Sequence, residues 1–329
     1  MQTLPSHFDG KRFRNLNPRR NRYGALLRWL LSRQPGTWRP WIDVQPGPPP
    51  PRSSENLRIT FVNHATFLLQ LDGLNILTDP IWSERASPVS WAGPRRRRPP
   101  GIRLQDLPPI DLVLLSHDHY DHMDIPTLRR LACEHHPTIY TGLNNARLLA
   151  RHGICNVVEL DWWQEAAARS DMSITAVPAQ HFSGRTPFQT DKTLWCGFVV
   201  RTDDSTVYFA GDTGAGPHIE QIARRFPEID LAILPIGAFR PEWFMGEVHM
   251  SPREAVDAHL ALRAHASVAS HFGTFRLADD GQDEPVEVLR DVLSHTDLWG
   301  TEFLALGFGE GRDLPARTGS IVGPERMAL

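Results

Sequence analysis

Residues Leu112–Asp124 read LVLLSHDHYDHMD: a short apolar run, then three histidines and three aspartates within nine residues. The run LVLL has the length and composition of a buried strand, and the histidines begin where it ends. In an extended segment His117 and His119 point the same way, because side chains alternate along a strand. Asp121 and His122 follow as the chain turns into IPTLRRLACEHH, which reads as a helix with Pro126 in its first turn. A strand end followed by a loop can gather all four side chains around one small volume. Imidazole nitrogen and carboxylate oxygen suit zinc, with iron and manganese as further candidates. There is room for two adjacent ions, one on the His117/His119 pair and one on the Asp121/His122 pair.

Four side chains are too few for two ions, so more must come from elsewhere. VPAQHFSG puts His181 just past a strand, YFAGDTG puts Asp212 in a glycine-flanked turn after another, and VASHFGT puts His271 at the end of a third. By itself a histidine after a strand is ordinarily a surface or capping residue, and an aspartate in GDTG a turn residue. The cluster changes that reading, and Asp212 could bridge two cations with its two oxygens. His7, His135, His136, His152, His218, His259, His265 and His295 fall in tails or helical segments and read as exposed or structural.

Outward from the cluster, strand signals begin at Leu57. LRITFVNHATFLLQLDGLNILTDP gives three strands with turns at Asn63–His64 and Asp72–Gly73. TIYTG, VVEL, MSITAVPA, LWCGFVVRT, TVYFAGDT, LAILPIG and ASVAS continue the pattern, and PHIEQIARRFP reads as a helix. SPREAVDAHLALR is a helix with Ser251 as N-cap, Pro252 at the first position and Glu254 completing a capping box. Strands lead each half and helices follow, which predicts an α/β fold of two sheets face to face with helices outside. Met1–Ser54 is Arg- and Pro-rich and reads as an N-terminal extension before a catalytic domain over 55–329; within it Tyr23–Arg33 predicts a short amphipathic helix that either packs on the domain or touches lipid.

The 329 residues are 41% hydrophobic, with a formal net charge of −3, so no global field favours nucleic acid or an anionic membrane. Three scattered cysteines without a CxxC argue against a disulfide framework and for a reducing, cytoplasmic compartment. No secretory h-region and no membrane-length apolar run is present in the sequence. The run Arg95–Arg98 reads either as a phosphate-facing loop or as a solvated one paired with acids such as Asp106 and Asp111.

HDHYDH with His181, Asp212 and His271 resembles the metallo-β-lactamase superfamily. The resemblance implies a four-layer αβ/βα sandwich of two mixed sheets and a two-zinc site at its edge. It implies that His117, His119 and His181 hold one ion, Asp121, His122 and His271 the other, and that Asp212 bridges. Further segments, from NHATFLLQLDGLNILTDPIWSERASP through LAILPIGAFRPEWFMGEVHMSPREAV to SHFGTF, look like N-acylphosphatidylethanolamine-hydrolysing phospholipase D and its bacterial relatives. That narrower resemblance implies a zinc-dependent phosphodiesterase of lipid metabolism, in which His249 lies near the substrate phosphate.

The reaction then expected is attack by water activated between two cations, with Asp121, Asp212 and His249 catalytic. The segment FRPEWFM, with Phe239, Trp243 and Phe244, reads either as the lining of an acyl or aromatic pocket, the favoured reading, or as core. Expected partners are a phospholipid or other phosphodiester, peripheral contact with the inner face of the membrane, and a second copy in a homodimer; nucleic acid is not expected. A lactonase or a phosphodiesterase on a soluble substrate is the alternative, and a non-catalytic metal-binding module the remote one.

Overall fold

The computed structural model describes residues 7–18 and 22–314; the outer limits expected for the extension and the catalytic domain, Met1 and Leu329, lie outside the described residues. In chain order the elements are α1 (Arg22–Leu31), β1 (Arg58–Asn63), β2 (Thr66–Leu71), β3 (Leu74–Thr78), β4 (Leu112–Leu115), α2 (Ile125–Glu134), β5 (Thr138–Gly142), α3 (Ala146–Ala150), β6 (Val157–Leu160), β7 (Glu165–Arg169) and β8 (Met172–Val177). There follow β9 (Gly197–Arg201), β10 (Thr206–Phe209), α4 (His218–Arg225), β11 (Leu231–Pro235), α5 (Glu242–Met245), α6 (Pro252–Leu262), β12 (Ala266–Ser270), α7 (Glu284–Ser294), β13 (Glu302–Leu304) and β14 (Gly311–Asp313).

The strands form two seven-stranded sheets, ordered β14-β1-β2-β3-β4-β5-β6 and β13-β12-β11-β10-β9-β8-β7. Both are mixed: β3 to β6 run parallel in the first and β10 to β13 in the second, while the remaining pairs are antiparallel. Strand alternation explains the layers. Phe67, Leu69 and Leu71 of β2, with Leu112 and Leu114 of β4, face the core shared with Phe198, Phe209 and Ile233 of the second sheet. Their neighbours Leu68, Val113 and Leu115 face outward onto Leu128 and Leu131 of α2. On the far side Ile222 of α4, Val256 of α6 and Leu289 of α7 cover the second sheet. The expected four-layer sandwich is therefore present.

The capping box at α6 is present, with the Glu254 amide donating to Ser251 Oγ and the Ser251 amide to Glu254 Oε2 at 2.8 Å. The sequence reading missed β7, whose EAAAR looks helical but pairs with β8, and it missed α7 and the edge strand β14. The segment before Leu57 is joined closely to the sandwich. Phe13 is 3% exposed within the main core, and Trp29 donates to Asp279 Oδ2 at 2.9 Å.

The solvated, acid-paired reading of Arg95–Arg98 describes Arg95, though with Glu84 rather than Asp106 or Asp111, and not Arg96 or Arg98. Arg96 is buried, donating to the carbonyls of Ser83 and Ile81, and Arg98 lies 3.9 Å over the Phe308 ring. Arg95 pairs with Glu84, whereas Asp106 takes Arg103 and Asp111 takes the Asn75 amide. The guanidiniums stitch the loop to the sandwich because their planar faces and multiple donors find carbonyls and aromatic rings close by.

Candidate metal centre

The ligands expected from sequence lie in the loops after β4, β8, β10 and β12, so each sheet supplies part of the site. His117 Nε2 lies 2.8 Å from His119 Nδ1, and His181 Nε2 lies 3.2 Å from the same atom. Three imidazole nitrogens thus converge on one point. Asp212 Oδ2 lies 3.2 Å from His122 Nε2 and 3.1 Å from His271 Nε2, while Asp121 Oδ2 is 3.4 and 3.5 Å from the same two nitrogens. Asp212 Oδ2 is also 3.7 Å from His181 Nε2, so this oxygen faces both groups. All seven residues are brought together, and His249 joins them, its Nδ1 3.9 Å from Asp212 Oδ2.

The outer nitrogens of three of the rings are already engaged. Ser116 Oγ lies 2.8 Å from His117 Nδ1, and His181 Nδ1 donates to the Val248 carbonyl at 2.9 Å. His122 Nδ1 donates to Asp79 Oδ2 at 2.6 Å. Each contact turns the opposite nitrogen inward as a lone pair, which is how ligating histidines are usually fixed. His122 Nε2, His271 Nε2 and Asp212 Oδ1 are buried without a hydrogen-bond partner. Buried polar atoms so placed are costly unless something binds them, and this donor set of imidazole and carboxylate fits a divalent cation.

The electrostatics agree. Burial opposes ionisation of Asp121 and Asp212, but the facing imidazoles outweigh it and hold both carboxyls well below the usual range. Burial likewise opposes protonation of His271, yet Asp212 and Asp121 lift it to about 9. Burial pushes the His117 and His181 rings well below their ordinary value and His249 down to about 4. The rings of the first group are thus neutral and ready to ligate, and the second group sets two ionised carboxylates against the two imidazoles they raise. His119 and Asp121 are half-buried and mark the open side of the site.

Three residues of this centre were not read from the sequence. Asp79, after β3, accepts from the Ser116 amide at 2.7 Å and from Ser116 Oγ at 2.6 Å, besides His122. Its signal was available, since NILTDP repeats the pattern of an apolar strand ending in a carboxylate. Asn15 brackets His181, donating to its carbonyl at 2.7 Å and accepting from its amide at 3.0 Å, and nothing in the sequence announces that contact. His64, read only as a turn residue, lies 3.0 Å from Asp121 Oδ2. The residues expected to line a pocket have local ring contacts. Phe239 is buried beneath Arg240, while Trp243 and Phe244 lie with α1, Phe244 stacked on Trp29 and Trp243 under Arg28.

A family profile described as "Beta-lactamase superfamily domain" matches residues 74–272. An uncharacterized protein of Mycobacterium tuberculosis is 40% identical over 258 residues, covering 74% of this chain and 68% of its own. N-acyl-phosphatidylethanolamine-hydrolyzing phospholipase D 1 of Caenorhabditis elegans is 36% identical over 271 residues, covering 78% of this chain and 76% of its own. Among solved structures, Igni18, a metallo hydrolase of Ignicoccus hospitalis, superposes with a TM-score of 0.60 at 23% identity, covering 80% of this chain and all of that one. By this match and by the centre just described, the chain belongs to the beta-lactamase superfamily, as one of its metal-dependent hydrolases.

Proposed function

We propose that the chain is a two-zinc phosphodiesterase of the phospholipase D type, acting on N-acylphosphatidylethanolamine-like lipids at a membrane surface. The observation that carries the two-ion part is the position of Asp212 Oδ2, which faces His181 on one side and His122 and His271 on the other. His117, His119 and His181 would hold one ion, Asp121, His122 and His271 the second, with Asp212 shared. Bound there, the ions would supply Lewis acidity and lower the pKa of a coordinated water toward neutrality.

The chain's own residues do the rest. Asp121 is ionised at neutral pH, and its half-buried carboxylate can accept a proton. His249 is kept neutral by burial, and its Nδ1 has no hydrogen-bond partner. A neutral imidazole so placed can donate one hydrogen bond to a phosphoryl oxygen without carrying charge into the site. The His249 backbone is itself fixed by the hydrogen bond its N–H donates to the Met245 carbonyl at 2.9 Å, at the end of α5.

Two observations support a lipid. One is the likeness to the nematode enzyme, whose name states that substrate. The other is an apolar face beside the His249 loop. On α1, Leu27, Leu30 and Leu31 are 59, 54 and 80% exposed, and Trp243 of α5 adds a further 45%. Trp29 and Phe244 join the two helices by stacking at 5.1 Å. A Leu/Trp face edged by arginines suits the headgroup boundary of a bilayer, so the amphipathic helix packs through Trp29 and offers its leucines to lipid.

Mass spectrometry of products tests this reading. Zinc-loaded protein is expected to release phosphatidic acid from N-acylphosphatidylethanolamine vesicles, and Asp212→Ala to release none. His249→Ala is expected to slow turnover while both zinc ions remain bound. Cleavage of bis(p-nitrophenyl) phosphate without any lipid product would retain the metal chemistry and remove the lipid. Activity on lactones alone would move the reading to a lactonase.

A further inference from the structure

His64 sits where a chain reversal alone would favour glycine or asparagine. It closes the turn between β1 and β2 with φ of +50°, a left-handed conformation that is unfavourable for a residue with a Cβ. Strain of this kind is retained where surrounding contacts impose it, and it gathers at functional sites. The ring is 1% exposed and far from idle. Its Nε2 lies 3.0 Å from Asp121 Oδ2, and its centroid lies 4.1 Å from that of His271 and 5.3 Å from Phe275. The backbone is equally engaged, since the His64 carbonyl accepts from the His271 amide at 2.8 Å and its amide donates to Thr274 Oγ1 at 3.1 Å.

We infer that His64 is a positioning residue for the second ion, holding Asp121 through its ring and His271 through its carbonyl. This rests on the two-ion reading above. An ionised carboxylate only accepts, so the shared proton resides on His64 Nε2, and that nitrogen is occupied rather than available to a metal. The hydrogen bond fixes which way Asp121 Oδ2 faces. The carbonyl fixes where the loop after β12 leaves its strand, and hence where His271 starts. His64 thus ties two ligands from opposite sheets to one rigid hairpin. It serves the second ion as Asp79 serves His122, and Thr274 and Phe275 keep it in place.

Cobalt(II) titration of the metal-free full chain, followed by d–d absorption and checked by metal analysis, tests the assignment without reference to turnover. The wild type is expected to bind two ions in resolvable steps. His64→Asn suits the left-handed backbone but falls short of Asp121. It should fold at least as well while the second ion binds about 10–100-fold more weakly and the first is unchanged. His64→Gln keeps an N–H at the reach of Nε2 and should recover most of the loss. An unchanged second step in His64→Asn, or equal weakening of both steps, overturns the assignment. A direct-ligand role is the reading that remains if His64→Gln does no better than His64→Asn, and this too overturns it. A wild type that binds one cobalt ion removes the two-ion reading itself, and the inference with it.

Discussion

At the scale of single residues, the proposed metal centre depends on groups outside the proposed ligand set. Asp79 receives three hydrogen bonds, two from Ser116 and one from His122. Truncating it leaves each donor buried and unpaired, at about 1–3 kcal/mol apiece, and releases the tautomer of a ligand. Asp79→Ala should therefore bind zinc about 10–100-fold more weakly, and metal analysis after dialysis against graded chelator would show it; full retention beside the wild type would refute the role. Two buried histidines outside the proposed ligand set give an acid limit. Burial holds His218 and His259 down to about 4, against an ordinary 6.5. Both stay neutral in the fold while the unfolded chain protonates near 6.5, so stability is full above that pH and falls as pH drops toward 4. The loss is roughly 2–4 kcal/mol per histidine at the low end. Denaturant titrations should show it, and His259→Gln should flatten the slope; an unaltered slope would count against the assignment. The seven proposed ligands were legible because metal chemistry needs particular side chains at strand ends. Asp79, Asn15 and His64 were not, because they act through contacts between segments distant in sequence.

At the scale of elements, α1 shows how far periodicity reaches. Its amphipathic pattern foretold the helix, but only the structure shows which side is covered, with Trp29 turned inward and Leu27 and Leu31 outward. If that face meets lipid, Leu27→Glu with Leu31→Glu should lower association with vesicles at least tenfold, since each change removes apolar burial and adds a charge at the boundary. Hydrolysis of a soluble phosphodiester should be unaffected. Equal pelleting of wild type and variant with vesicles would assign the face elsewhere. Arg95–Arg98 teaches the opposite lesson. A charge run is conspicuous in the sequence, yet the loop it lies in turns Arg96 into the interior and lays Arg98 on Phe308. Composition identified the residues, and their local partners decided their use.

At the scale of the molecule, the two sheets are brought together by a shared core and by the centre itself. The layers were legible because alternation within β2 and β4 sorts side chains to two faces. The three-residue edge strands β13 and β14 were not, being too short to carry a pattern. Neither proposed ion rests on one sheet. The loop after β4 in the first sheet supplies His117, His119, Asp121 and His122, and the loops after β8, β10 and β12 in the second supply His181, Asp212 and His271. A cation bound there cross-links the halves, and the unfolded chain offers no such arrangement, so binding free energy becomes folding free energy. At a free metal concentration a thousandfold above Kd each ion adds about 4 kcal/mol, which for a chain of this size raises Tm by about 5–15 °C. Calorimetry of the zinc-loaded and chelator-treated protein should therefore give one cooperative transition in both states, displaced downward as a whole when metal is removed. Two transitions, only one of them sensitive to the chelator, would mean that the ions sit within one half, and the cross-linked architecture of the centre would have to be abandoned.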